Sequence, residues 1–333
     1  MSITVVCKKA GYLLEGPHWD DTNNLLYFVD ILGKAINKWD PVRDTIEKYD
    51  VPDQSIGAAV LTDRNNMLLA LTRRIAFLDW RTKKLFDIQE VEDETNTKNR
   101  FNDGKCDPAG RFWAGKVCFN LSTNPSMDTQ TSLVMLHRII PVLFKLGVAA
   151  STMGPEEELG GVLREQGQLY CYHKDRSLTV HADKISISNG LAWSSCRKFM
   201  YYIDSMKYTV DVFDFDLESG QTSNRRVAID MKSEGIPDGM CIDAEDMLWV
   251  AVFNGGKVIR YNPKTGEKLS ELKFPTLNTT SCCWGGPNYD ELYVTSAEHF
   301  LTEQQLKEQP TGGSVFRVTG LGVKGTKSDI YNE

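Results

Sequence analysis

The stretch Ile236-Pro-Asp-Gly-Met-Cys-Ile-Asp243, followed by Met247-Leu-Trp-Val-Ala251, Lys257-Val-Ile-Arg-Tyr261 and Asn262-Pro-Lys-Thr-Gly266, decides the fold. Short runs of β-type residues alternate with Asp, Asn, Gly and Pro turns, and no long apolar stripe of helical period intervenes. The apolar run around Trp249 has counterparts along the chain: Leu-Leu-Tyr27-Phe-Val, Met-Leu-Leu69-Ala-Leu, Arg-Phe-Trp113-Ala-Gly, Phe-Met-Tyr201-Tyr-Ile and Glu-Leu-Tyr293-Val-Thr. Successive anchors are 42, 44, 88, 48 and 44 residues apart. Four of those gaps fall in the window of roughly 40–50 residues that one propeller blade occupies. The expectation is therefore an all-β chain, a six-bladed β-propeller forming a single domain over residues 1–333. A large sandwich is the alternative, but it has no reason to repeat at the blade period.

The long gap holds about two units of length but one unit of pattern. Its excess lies between Gly115 and Thr152, so residues 116–151, 36 in all, read as an atypical insertion. The apolar part, Ser132 to Leu146, is interrupted by Arg138, Pro141 and Lys145, and no run of about 20 apolar residues exists, so no membrane span is expected.

Counting back from each anchor places four polar residues in one phase of the repeat. Glu15 and Asn189 precede their anchors by 12 residues, Asn102 and Asp238 by 11. Each has glycine beside it or one residue on, which would let backbones crowd near a channel axis. Taken singly, Asx-Gly dipeptides are ordinary turns. Taken in phase, two carboxylates and two amides form an oxygen-donor site for one divalent ion, suited to Ca²⁺, Mg²⁺ or Mn²⁺ and admitting Zn²⁺. Such a metal would activate water and polarise a carbonyl. Arg100 and Asp103 add a cation and a further acid beside it. Arg100 and Asn102 could bond a polyol or an ester, and His18 reads as packing.

Other classes are weakened. The chain carries 38 Lys plus Arg against 45 Asp plus Glu, a formal charge of −7, with no basic block for nucleic acid. There is no Gly-x-Ser-x-Gly elbow, Walker loop or dinucleotide fingerprint. The amino terminus lacks the pattern of a secretory leader, so a cytoplasmic location is expected. The eight scattered cysteines read as reduced and mostly buried, and the sequons at Asn120 and Asn278 as unused.

Glu15-Gly-Pro, Asn99-Arg-Phe-Asn-Asp-Gly-Lys-Cys-Asp-Pro-Ala-Gly110, Ile187-Ser-Asn-Gly-Leu-Ala-Trp193, Met200-Tyr-Tyr-Ile-Asp-Ser205, Ile236-Pro-Asp-Gly-Met-Cys-Ile-Asp243 and Thr319-Gly-Leu-Gly-Val-Lys-Gly325 resemble the gluconolactonase and luciferin-regenerating-enzyme family. The resemblance runs from about Leu14 to Gly325. It implies a six-bladed propeller, one divalent metal in the channel and hydrolysis of sugar-acid lactones. By matching motifs, the metal ligands would be Glu15, Asn189 and Asp238, with Asn102 nearby. Arg100 and Asn102 would hold substrate, and Asp238 or Asp103 would handle protons. In the family pattern the strand ending at Gly115 runs on into Thr152-Met153 and an acidic lid, so Glu156 or Glu157 would supply a substrate-touching acid. The expected partner is a small lactone, with the protein a monomer. A Ca²⁺-binding regulatory protein of the same fold is the alternative; Arg100, which suits an electron-rich substrate, favours catalysis.

Overall fold

The computed structural model describes residues 1–91, 99–119 and 162–333. Glu156, Glu157 and the apolar stretch Ser132 to Leu146 lie outside these residues. The described chain forms six four-stranded antiparallel sheets. Their first strands, Leu14–Asp20, Ile56–Leu61, Asn99–Cys106, Ser188–Trp193, Ile236–Ile242 and Thr279–Gly285, pack one on the next in a closed ring. This is the six-bladed β-propeller expected from the repeat. All six anchors fall on the second strand of their blade: Leu25–Asp30, Met67–Leu71, Phe112–Cys118, Phe199–Asp204, Leu248–Phe253 and Glu291–Ser296.

The anchors sit there because the second strand is covered on both faces by neighbouring blades. Trp113, Trp249 and Tyr293 are fully buried, and removing about 200 Å² of such a side chain from water stabilises by about 5 kcal/mol before entropy is counted. An aspartate at the start of the preceding turn fixes the two tryptophans. Asp107 accepts from Trp113 Nε1 (2.9 Å) and from the Ala109 and Arg111 amides, and Asp243 accepts from Trp249 Nε1 (3.0 Å) and from the Glu245 and Met247 amides. One carboxylate thus closes a turn and sets the depth of the next strand.

The ring closes through the amino terminus. Ser2–Cys7 pairs antiparallel with Val315–Thr319 and becomes the outer strand of the blade that begins at Thr279. The carboxyl terminus pins two other blades: the Tyr331 amide donates to Leu61 O, and its hydroxyl donates to His173 O at 3.0 Å.

One boundary differs from expectation. The strand expected to stop at Gly115 continues to Cys118, with Phe101 opposite Lys116, Arg100 opposite Val117 and Asn99 opposite Cys118. The first residues of the segment read as inserted are therefore part of the third blade. Strand pairing is made by backbone groups, so Lys-Val-Cys satisfies the ladder although Lys116 then lies fully buried against the Phe101 and Tyr170 rings.

Seven of the eight cysteines are buried, Cys196 alone is exposed, and all are free thiols. No helix among the described residues is long and apolar enough to cross a membrane.

Candidate functional site

Every first strand carries a break in pairing at the same height. The register shifts fall between Glu15 and His18, Ile56 and Ala58, Phe101 and Asp103, Ser188 and Leu191, Pro237 and Met240, and Thr279 and Cys282. A bulge turns extra residues off the ladder and re-aims their side chains. Glu15 borders the first of these breaks, and Asn102, Asn189 and Asp238 lie inside three of the others. This is why the four share a phase in the sequence. Glycine serves two ends here. At Gly190 a Cβ would lie 2.8 Å from Asp238 O, and at Gly239 2.0 Å from Ser281 Oγ, so these two permit close approach of adjacent blades. Gly16 instead has open space and a φ of +52°, so conformation and not crowding requires it.

Glu15, Asp103 and Asp238 are buried at this level. Burial, followed by the charges of Asp238 and Asp103, pushes Glu15 well above the usual carboxylate range. Asp238 is also pushed well above the usual carboxylate range, by burial and then by Asp103, and it lies within hydrogen-bond reach of Glu15. Asp103 is raised by burial, opposed by Lys105 and by the Gly104 amide that it accepts at 2.7 Å. The nearby cations are committed to other oxygens. Lys105 Nζ donates to Met240 O at 2.7 Å, and Arg100 Nη1 donates to Phe101 O (2.9 Å) and Asn102 Oδ1 (2.8 Å).

The amides form a chain beside the carboxylates. Asn102 Nδ2 donates to Asn189 Oδ1 (3.1 Å) and Ser188 O (2.9 Å), while Asn189 Nδ2 donates to Ser205 Oγ (2.8 Å), which donates to Pro237 O (2.7 Å). The network fixes which end of each amide faces which neighbour. Arg100 is half-buried; burial lowers its pKa to about 10 against the opposing charge of Glu15, and its guanidinium lies 5.2 Å from the centre of the Phe119 ring. The donor set of carboxylate and amide oxygens fits a hard divalent cation, because mutually repelling buried acids need a positive charge that Arg100 and Lys105 do not supply by direct ion pairing.

Residues 13–298 match the family described as SMP-30/Gluconolactonase/LRE-like region. The chain belongs to this family. Family members similar to it include regucalcin of Xenopus laevis, 40% identical over 98% of this chain and 96% of that one, and human regucalcin, 39% identical over 95% and 94%. A luciferin-regenerating enzyme superposes with a TM-score of 0.80 at 33% identity, covering 100% of both chains. A calcium-binding regucalcin from Agrobacterium tumefaciens gives 0.80 at 23% identity over 98% and 96%, and a gluconolactonase from Xanthomonas campestris 0.66 at 17% over 95% and 88%; at those identities the likeness is one of fold.

Within this family scaffold, the structure brings together Glu15, Arg100, Asn102, Asp103, Asn189 and Asp238. His18 is buried in its inner strand, and burial together with Lys105 holds its pKa down to about 4. Sequence reasoning passed over Ser205 and His299. Ser205 lies at the end of the quoted Tyr-Tyr-Ile-Asp-Ser motif, but nothing in that motif reveals that it bridges two blades. His299 has its pKa lowered to about 4 by burial and then by Arg100, which places it at the same end of the channel.

Proposed function

We propose that the protein is a divalent-metal-dependent hydrolase that opens sugar-acid lactones. The observation that carries this reading is the cluster of Glu15, Asp103 and Asp238, three buried carboxylates each raised chiefly by burial, beside Arg100. Glu15, Asn189 and Asp238 would hold the metal, with Asn102 next to them. Bound there, a divalent cation supplies Lewis acidity toward the lactone carbonyl and lowers the pKa of water.

The chain's own groups supply the rest. Arg100 and Asn102 hold the substrate's oxygens, and Arg100 gives charge-assisted bonds that orient the ring. Asp238 or Asp103 takes the proton of the attacking water, a task for which a carboxylate held above its ordinary range is suited. As the acyl–oxygen bond breaks, that proton passes to the departing ring oxygen and the product is an aldonic acid. Glu156 or Glu157 is proposed as a further substrate contact.

Hydrolysis of gluconolactone by purified protein, before and after chelation and with Ca²⁺, Zn²⁺, Mn²⁺ or Mg²⁺ restored, tests the reading. Activity lost to chelator and restored by one of these ions is expected, and turnover indifferent to chelator refutes it. The second reading, a Ca²⁺-binding regulatory protein, draws on the regucalcin names of its relatives and predicts tight Ca²⁺ binding without turnover.

A further inference from the structure

A second cluster of ligand-type side chains lies far out on the third blade. Cys171 belongs to the strand Gly167–Tyr172, His173 follows it directly, and His181 belongs to the next strand, Leu178–Ile185. Cys171 pairs with Thr179, Tyr170 with Val180 and Leu169 with Ala182, so His181 is the extra residue of a bulge. Side chains alternate along a strand, and the two-residue steps from Cys171 to His173 and from Thr179 to His181 keep all four on one face. One ligand atom from each of Cys171, His173 and His181 lies within 4.8 Å of the others. The Nε2 atoms of both histidines are 2.8 Å from the single hydroxyl of Thr179.

We propose that Cys171, His173 and His181 form a Zn²⁺-type site, separate from the channel cluster. The chemistry of the donors selects the ion: one sulfur and two imidazoles suit zinc and not the hard cations that oxygen sets prefer. In a tetrahedral zinc site neighbouring ligand atoms are about 3.5 Å apart, so closing from the present spread needs side-chain shifts of about an ångström. Both imidazoles are held below their ordinary pKa, His181 to about 4, chiefly by burial, and neutral imidazole is the ligating form. Cys171 is buried as the thiol, so binding releases its proton to solvent as the metal–sulfur bond forms.

The surroundings meet the remaining demands of a metal site. His181 Nδ1 lies 3.2 Å from Thr222 Oγ1 of the next blade, and its ring lies 4.4 Å from that of Trp113, which together fix its orientation. A cavity of about 290 Å³ lined by His181, Thr222 and Arg225 gives a path from solvent to His181. The competing account is a hydrogen-bond cluster in which Thr179 donates to one imidazole and accepts from the other.

Cobalt(II) added to the full-length protein distinguishes the two, since a thiolate–cobalt charge-transfer band cannot arise from an oxygen-donor cluster. The expected result is such a band at one equivalent, displaced by one equivalent of Zn²⁺, abolished in Cys171→Ser and retained in Asp238→Ala. His181→Gln, a substitution nearer the surface, is expected to weaken Zn²⁺ binding at least ~10-fold with an unchanged circular dichroism spectrum. Absence of the band in the parent, or its persistence in Cys171→Ser, overturns the proposal. Zn²⁺ affinity unchanged in folded His181→Gln does so as well. Failure of lactone hydrolysis leaves these readouts unaffected, so this inference and the channel function fail separately.

Discussion

Replacing Asp238 with Asn removes one charge from the buried cluster while keeping the side chain's size. In the metal-free protein Glu15 and Asp238 are raised by burial and by acidic neighbours, so the variant relieves repulsion and should melt no lower than the parent. With metal the order reverses. A ligand present at 100 times its Kd stabilises the folded state by about 2.7 kcal/mol. For 333 residues, an unfolding entropy of about 2.1 cal/mol/K per residue gives about 0.7 kcal/mol/K, so the parent's melting midpoint should rise by about 4 °C. If the substitution weakens binding ~100-fold, the same metal concentration equals Kd, and only about 0.4 kcal/mol, or less than 1 °C, remains. Scanning calorimetry of both proteins, chelated and at one fixed Ca²⁺ concentration, measures the four midpoints. A parent-like Ca²⁺ shift in Asp238→Asn refutes the placement of the metal at Asp238, and lactone turnover should vanish with the shift.

Arg100→Ala should leave metal affinity within a few fold and lower kcat/KM for sugar lactones ~10- to 100-fold, the loss of a charged hydrogen bond; equal losses in calorimetric metal titration and in kinetics would show that the two functions are not separable. Ser205→Ala leaves Asn189 Nδ2 and Pro237 O without their bridge, and denaturant unfolding should show a loss of about 1–3 kcal/mol together with weaker metal binding; a wild-type metal isotherm would refute the positioning role. The chelated protein should become more stable as pH falls from neutral toward the ordinary carboxylate range of about 4, because Glu15 and Asp238 take up protons in the folded state before they do so unfolded; urea midpoints across that window that stay flat in the parent, or slope equally in Asp238→Asn, would contradict it. Joining Gly115 directly to Thr152 removes the apolar run Ser132 to Leu146 and should give less light scattering and a higher kcat/KM; a deletion protein that is less stable or less active would show residues 116–151 to be integral.

What the sequence discloses is what a backbone repeat must repeat. Tyr27, Leu69, Trp113, Tyr201, Trp249 and Tyr293 are visible because each blade buries its second strand on both faces. Asn102, Asn189 and Asp238 are visible because a bulge of fixed position carries each, and Glu15 because it borders one. What depends on contacts between blades leaves no local signal. The closure of the ring by Ser2–Cys7 joins residues some 300 positions apart, and the Ser205 bridge joins two blades through one hydroxyl. The strand end at Cys118 is hidden for another reason. The break after Gly115 follows the family pattern, in which Thr152-Met153 continues the strand, and that pattern carries no sign that Lys116 to Cys118 pair with the first strand instead.

The bulges also explain how the site is assembled. All six blades interrupt their inner ladder at one level, so the scaffold offers six places for a side chain to enter the channel. Blades one, three, four and five use theirs for Glu15, Asn102, Asn189 and Asp238. Blade two sets Gly57 there, where a Cβ would lie 2.8 Å from the Asn102 backbone nitrogen. Blade six offers Thr280 and Ser281, and Thr280 Oγ1 donates to Leu14 O, next to Glu15. These two blades supply no carboxylate. They press against the strands that do, and hold Asn102 and Glu15 at the depth where the acids meet. The fold thus fixes where a channel site forms, while the residue type at each bulge fixes its chemistry: Glu15, Asp103 and Asp238 come from the alternate blades one, three and five and meet in the channel between them.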